Sequence, residues 1–294
     1  MRPRIRLALL IALAGGPGCA STPPPCGAAD TTSPVRPGRD APGPVLFVMT
    51  AADRQTLTNG KQRGTGFFLN EFYEAYRAVR AAGFDVVFAT VDGRPPVVDP
   101  ESLREKYWKA HPAWLAEARS FVATSAALAR PVTLARALAD EASWSGLVVP
   151  GGQGVMIDLL ASRELAALLL ELGATRRPVG LICHAPALLA RLPREHNPFR
   201  GRALTSVSGA EEFIIETFIM KGRARERGIQ RRLELQGYHA SAAFAGRGFA
   251  VRDCNLVTSQ NPFSGAAFAD AYVAALTDWR QGVDCSCSAS AGRR

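Results

Sequence analysis

"PVGLICHAPALL" occupies residues 178–189. A tight apolar run, Val179–Ile182, stops at Cys183 and His184, and a helix-forming run follows. A short apolar run of this kind, bounded by a proline, reads as a buried strand. A cysteine and a histidine at its end admit two readings. They are core filler, since cysteines are commonly buried, or the strand ends there to present a nucleophile.

The same alternation extends in both directions. Residues 44–50 (PVLFVMT), 84–93 (FDVVFATVDG) and 144–152 (WSGLVVPGG) read as strands. Residues 70–83, 162–173 and 264–279 read as helices, with Asn70 placed to cap the first and Gly83 to end it. Residues 202–208 read as a short strand and 249–262 as a hairpin turning at 252–255. Residues 101–143 hold no strong strand and read as helical cover for an edge or the site. Strands that are apolar throughout and separated by helices imply a doubly wound, mainly parallel α/β sheet covered on both faces. Active groups in such folds lie outside the carboxyl ends of the strands, where Cys183, Gly151 and Gly152 all fall.

The chain has 294 residues, 47% of them hydrophobic and 21% charged, an ordinary globular composition. Its formal charge is +9, and three of the cations are Arg2, Arg4 and Arg6. The densest basic run, residues 221–232, is interrupted by Glu226 and carries no nucleic-acid motif. It reads as a solvated surface, so no nucleic-acid partner is expected. Residues 1–19 have a basic start, an apolar run at 7–14 and small residues after it, the pattern of a secretory signal too short to span a bilayer. Cleavage before Cys19 would leave that cysteine to be lipidated. A lipid-anchored lipoprotein and a plainly exported, periplasmic protein are both open on this reading. Residues 20–43 read as a Pro-rich tether, 44–281 as the folded domain and 282–294 as a disordered tail. Of six cysteines, Cys19, Cys26, Cys285 and Cys287 lie in tether or tail, where they could pair. No further cluster completes a metal site with Cys285 and Cys287.

Three features carry chemistry. A thiol at a strand-to-helix turn meets the first helical N–H groups, which should lower the Cys183 pKa and favour the thiolate. The backbone N–H of His184 can serve an oxyanion there. The Pro-Gly-Gly turn at 150–152 can supply a second donor from Gly152, or it is a plain tight turn. Glu71 shares a helical stripe with Ala75, Ala78 and Ala82, so it should face the sheet. A buried carboxyl must be paired or protonated, and near a cysteine it can act as general acid/base. The alternative is a carboxylate stabilised by the helix dipole. Glu74 and Arg77 lie off the stripe and read as solvated. The His184 side chain, next to the nucleophile on the turn, is expected to point away from the sulfur. His196 reads as a loop residue, and His239 as a border of the site or of an interface.

The segments "GTGFFLNEFYEAYRAVRAAGFDVVFATVDGRPPVVDPESL", "LVVPGGQGVMIDL", "PVGLICHAPALL", "ALTSVSGAEE" and "NLVTSQNPFSGAAFADAYVAAL" occur in the order seen in the DJ-1/PfpI superfamily. The chain resembles its Hsp31-like, class I glutamine amidotransferase-like branch over residues 44–278. The resemblance implies a flavodoxin-like sandwich with Cys183 as nucleophile, Glu71 as carboxylate, His184 following the nucleophile and Gly152 as oxyanion glycine. Gly151 and Gln153 would border the pocket. Members include glyoxalases that convert methylglyoxal to lactate, and others described as chaperones or deglycases, and dimers are common. The implied reading is a glyoxalase III-like cysteine enzyme acting on a small 2-oxoaldehyde, with no metal or organic cofactor and a homodimeric assembly. The alternatives are an Hsp31-like stress chaperone, deglycase or non-catalytic binding protein, and another cysteine hydrolase or hydratase. Two departures stand out. Gln153 replaces a frequent histidine, which leaves the backbone donors but removes one polar group. None of His111, His184, His196 and His239 has an acid two residues on, so the amidotransferase label describes the fold and not the reaction.

Overall fold

The computed structural model of the chain describes residues 43–283. The expected signal with Cys19, the tether with Cys26, and the tail cysteines Cys285 and Cys287 lie outside the described residues. The strands are β1 (Val45–Val48), β2 (Arg54–Thr56), β3 (Gln62–Gly64), β4 (Val86–Thr90), β5 (Val132–Thr133), β6 (Gly146–Val149), β7 (Val179–Ile182), β8 (Ala203–Leu204), β9 (His239–Ala240), β10 (Ala250–Asp253) and β11 (Leu256–Ser259). The α-helices are α1 (Leu69–Ala81), α2 (Trp114–Thr124), α3 (Ala126–Ala129), α4 (Leu134–Ala139), α5 (Arg163–Ala174), α6 (Gly209–Ile214), α7 (Ile229–Leu235) and α8 (Gly265–Arg280).

Seven strands form one sheet in the order β10-β11-β7-β6-β1-β4-β5. Every pairing is parallel except that of β10 with β11. The register aligns Leu46 with Val87 on one side and Leu147 on the other, and Leu181 with Val149 and Thr258. Strands β1, β6, β7 and β11 are buried along their whole length, which is why the first three read as unbroken apolar runs and not as alternating ones. From β1 the chain builds outward to β4 and β5, then returns to lay β6, β7 and β11 on the other side of β1. That reversal opens a crevice at the carboxyl ends of β1 and β6.

Helices α1 and α8 pack together against the sheet, and the Tyr272 hydroxyl of α8 donates to the Leu147 carbonyl at 3.0 Å. Glycine at 180 makes room for this helix, since a methyl there would lie 2.7 Å from Phe268 Cζ. Rings from α1, β1, β4 and α2 interlock beside it, with Phe47, Phe72, Phe88 and Phe121 in edge and stacked contacts. Such aromatic pairs add to the area they bury.

Several local expectations are corrected. Asn70 does not cap α1. Phe68 takes the cap position because its N–H is tied to Gly151 O at 3.0 Å. Asn70 instead sends its amide to the carbonyls of Pro262 (2.7 Å) and Tyr107 (3.3 Å). Gly83 does end the helix, with φ +84°. Residues 101–143 contribute the two-residue edge strand β5 besides their helices. Only Ala203–Leu204 of the expected 202–208 strand forms, and it pairs with β9 outside the main sheet. The segment after Cys183, Ala185–Arg191, is 3-10 helix and not α, with Pro186 in its first turn. Within the basic run, Arg227 grips both oxygens of Glu216 (2.8 and 2.7 Å) and Arg232 pairs with Glu226, so two of its six cations are locally paired.

Gly180→Ala overpacks the β7–α8 contact and should destabilise the protein by about 1–3 kcal/mol. The check is the midpoint of thermal unfolding. An unchanged midpoint would mean that Phe268 and Tyr272 step aside at no cost.

Candidate active site

Cys183 follows directly on β7 and takes up left-handed backbone, φ +60°. This costs a non-glycine residue about 1–2 kcal/mol and persists only where neighbours impose it. Two bonds do so: Cys183 N–H donates to Ser259 O (2.8 Å), and Val207 N–H donates to Cys183 O (2.9 Å). Core filler needs no such conformation. The strain turns the thiol out of the strand line, and Cys183 lines the cavity at the sheet's carboxyl edge. It is the free cysteine among the described residues and is 4% exposed.

The Pro-Gly-Gly turn after β6 is built for close approach. A methyl on Gly151 would lie 2.6 Å from Glu71 Oε2, 2.6 Å from Ile182 O and 2.7 Å from Cys183 Cβ. Gly152 has φ +103°, and a methyl there would meet Gly66 O at 2.3 Å. Neither position admits a side chain, so the plain-turn reading gives way to a junction of β6, β7 and α1. Gly151 N–H donates to Glu71 Oε2 at 2.9 Å. The other carboxyl oxygen, Oε1, has no partner in good hydrogen-bond geometry.

Glu71 is 2% exposed, as its small-residue stripe implied. Burial raises its pKa from the ordinary 4.5 to about 8, against the lowering effects of hydrogen bonds from the Cys183 thiol and Gly151 N–H. The expected depression of the thiol pKa is not found. Burial pushes the Cys183 thiol well up, the nearby Glu71 and Glu211 carboxylates push the same way, and the His184 N–H only partly offsets them. A turn of 3-10 helix in a desolvated site does not outweigh burial. Thiol and carboxyl are thus coupled buried acids, and each is easier to ionise while the other keeps its proton. Glu74 is also not solvated as expected. It is half-buried against Gly265, and burial raises its pKa to about 7.

The His184 side chain does not point away. Its Nδ1 lies 3.2 Å from Cys183 Sγ, and its Nε2 lies 2.9 Å from Gln153 Nε2. Burial, and then the Arg63 charge, lower its pKa to about 4, so the ring is neutral at physiological pH. Gln153 therefore supplies a polar contact to the histidine, and the group its presence seemed to remove is replaced by its amide. His239 is exposed and does not line the cavity. His196 sits in an exposed turn, and His111 stacks on Trp114 at 3.8 Å.

The cavity has a volume of about 270 Å³. Gly152, Gln153, Cys183 and His184 line it, Arg63 and Lys106 border it paired with Asp99 and Glu101, and Ile214, Ile219 and Phe263 contribute apolar wall. Three residues absent from the sequence reading belong here. Gln55 Nε2 donates to Gln153 Oε1 (3.0 Å), and Arg63 donates to Gln55 Oε1 (3.4 Å) while facing Asp99 (3.6 Å). Glu211 accepts from Asn261 (2.7 Å), Gly246 N–H (3.0 Å) and Ser208 N–H (3.0 Å). Glu211 had a readable signal, the Ser-x-x-Glu capping box at 208–211. The hairpin residues Gln55 and Arg63 had none. Among the described residues, no cluster of three or more His, Cys, Asp or Glu is arranged to hold a metal ion.

A flavodoxin-like sandwich carrying a cysteine on a strained turn, a buried glutamic acid and a double-glycine junction defines a recognisable class of α/β protein. The pattern of the DJ-1/PfpI family matches residues 64–275, and the chain belongs to that family. It is 29% identical over 189 residues to the protein/nucleic acid deglycase HchA of Escherichia coli O157:H7, a match spanning 62% of this chain and 65% of that one. By structure it is similar to glyoxalase III of Candida albicans, with TM-score 0.65, 21% identity, and coverage of 79% of this chain and 97% of that one. It is equally similar to the rapid encystment protein of Francisella tularensis, with TM-score 0.66, 22% identity, and coverage of 80% and 99%.

The raised Glu71 pKa has a consequence for stability. The unfolded carboxyl releases its proton near 4.5 and the folded one near 8. The contribution of Glu71 is therefore fully present below pH 4.5 and is lost as pH rises to 8. Glu71→Gln escapes that loss and keeps an acceptor for Gly151 N–H. It should be more stable than wild type at pH 8, by on the order of 4 kcal/mol, and nearly equal at pH 4. Denaturant unfolding at the two pH values checks this. Parallel curves would show that Glu71 ionises normally.

Proposed function

We propose that the protein is a cofactor-independent cysteine enzyme acting on small 2-oxoaldehydes, converting methylglyoxal to lactate in the manner of a glyoxalase III. The observation that carries the reading is the strained Cys183 thiol lining the cavity, with the buried Glu71 carboxyl directly behind it across Gly151. The likeness to a deglycase and, in fold, to a glyoxalase III is in keeping with it.

The reactive form is the pair holding one proton, exchanged between Sγ and Glu71. Sulfur attacks the aldehyde carbon, the C–S bond forms, and the carbonyl electrons move to oxygen. The N–H groups of Gly152 and His184 are the donors available to that alkoxide. Protonation gives a hemithioacetal. Removal of its carbon-bound proton gives an enediol, and return of a proton to the neighbouring carbon gives a thioester. Glu71 is the proton carrier, and its raised pKa suits both directions of transfer near neutrality. Water then hydrolyses the thioester to lactate and regenerates the thiol. Methylglyoxal and water are consumed, and no electrons leave the system.

A second reading has its own observation. Phe263 lines the cavity and is 46% exposed, and Phe213, Phe218 and Phe244, each next in sequence to a cavity-lining residue, are 62%, 70% and 90% exposed. Exposed large apolar side chains suit binding of unfolded chains, and they support a holding chaperone whose protection of clients is unaffected by Cys183→Ala. A protein/nucleic acid deglycase activity, as named for the E. coli relative, is a third use of the same thiol.

Lactate should form from methylglyoxal without glutathione or added metal, and kcat/KM should rise with pH through about 8 as the pair loses its first proton. Glu71→Gln should lower kcat by roughly 100-fold or more. Enzymatic lactate assay is the measurement, and turnover that survives Cys183→Ala would remove the nucleophile from the scheme.

A further inference from the structure

Four side chains link the cavity rim to the sulfur in a single file. Arg63 donates to Gln55 Oε1 (3.4 Å), Gln55 Nε2 donates to Gln153 Oε1 (3.0 Å), Gln153 Nε2 meets His184 Nε2 (2.9 Å), and His184 Nδ1 meets Cys183 Sγ (3.2 Å). Gln55, Gln153 and His184 are all buried. The direction of this file is not free. A guanidinium has donors and no acceptor, so Arg63 must face an oxygen of Gln55. That turns the Gln55 amide nitrogen toward Gln153, which must present its own oxygen. The Gln153 nitrogen then faces the histidine and donates. Nε2 of His184 must accept, so in the neutral ring the proton sits on Nδ1, beside the sulfur. Reversing any one amide would set two donors or two acceptors face to face in a buried site and leave each of them unmatched.

We infer that Gln153, Gln55 and Arg63 are positioning residues that hold His184 as its Nδ1–H tautomer, so that the imidazole donates a hydrogen bond to the Cys183 sulfur and the base for the thiol is Glu71. The inference rests on Cys183 being the reactive group of the proposed function. His184 then offers two donors to a thiolate, its backbone N–H and its ring N–H, and has no lone pair directed at the thiol proton. In the activation step the S–H bond breaks, its electron pair stays on sulfur, and the proton passes to a Glu71 carboxylate oxygen. Histidine keeps its own proton throughout. An amide after the double glycine delivers this arrangement because its nitrogen only donates.

The test reads the tautomer directly. In the full chain labelled with 15N-histidine, long-range 1H–15N correlation spectra of wild type at neutral pH should show His184 protonated at Nδ1, with assignment by loss of the signal in His184→Ala. A proton on Nε2 overturns the inference. In Gln153→Glu the new carboxylate can only accept, so the proton should move to Nε2. Alkylation of Cys183 by iodoacetamide should then slow by roughly tenfold, the loss of one donor to a charged sulfur. Retention of the Nδ1–H signal in that variant, or an unchanged alkylation rate with the proton moved, would equally overturn it. Should Gln153→Glu not fold, Arg63→Met is read instead. It lies three side chains from the sulfur, yet it should mix the two tautomers, and Arg63→Lys should restore the single one. An Arg63→Met spectrum identical to wild type counts against the relay. Neither readout needs turnover, so failure of the methylglyoxal assay is a separate result that leaves the tautomer measurement standing.

Discussion

The structure depends on one point of contact, the approach of Gly151 to Glu71 and Cys183 at the carboxyl edge of the sheet. Three elements that are far apart in sequence meet there: the turn after β6, the turn after β7 and the first turn of α1. None of the three could move closer, because a single methyl at Gly151 would overlap all of them. The Gly151 N–H fixes one oxygen of Glu71, and the parallel pairing of β6 with β7 fixes the distance to the cysteine. The topological reversal around β1 supplies the open space above them.

Burial at this point changes what the residues are. A carboxyl and a thiol in water would ionise separately and far apart in pH. Removed from water and placed together, both are pushed upward, and the charge on one makes the other harder to ionise. The backbone strain at Cys183 and the unsatisfied oxygen of Glu71 belong to the same bargain between stability and chemistry, since such features concentrate where a site must be held in a reactive form.

The histidine beside the cysteine shows how a neighbouring layer sets chemical role. Nothing in an imidazole decides whether it donates or accepts. The decision comes from what binds its far nitrogen, and here that is an amide chain whose polarity is set by an arginine at the cavity rim.

Much of the fold was legible in the sequence, because the parallel strands are buried on both faces and so read as uninterrupted apolar runs at 45–48, 146–149 and 179–182. Cys183 stood out by ending such a run, Glu71 by lying on an alanine stripe, and Gly151 and Gly152 by following a strand. These are local signals of periodicity and residue type. The cap of α1, the direction of the His184 ring, the upward shift of the thiol and the parts played by Gln55, Arg63 and Glu211 were not legible. Each is fixed by a partner remote in the chain: Gly151 for Phe68, Gln153 for His184, desolvation for the thiol, and a hairpin at 54–64 for the amide file. Sequence determined which groups reach the carboxyl edge of the sheet. Only the tertiary structure decided which of them hold a proton and which way each hydrogen bond runs, because those properties depend on burial and on contacts that no local pattern records.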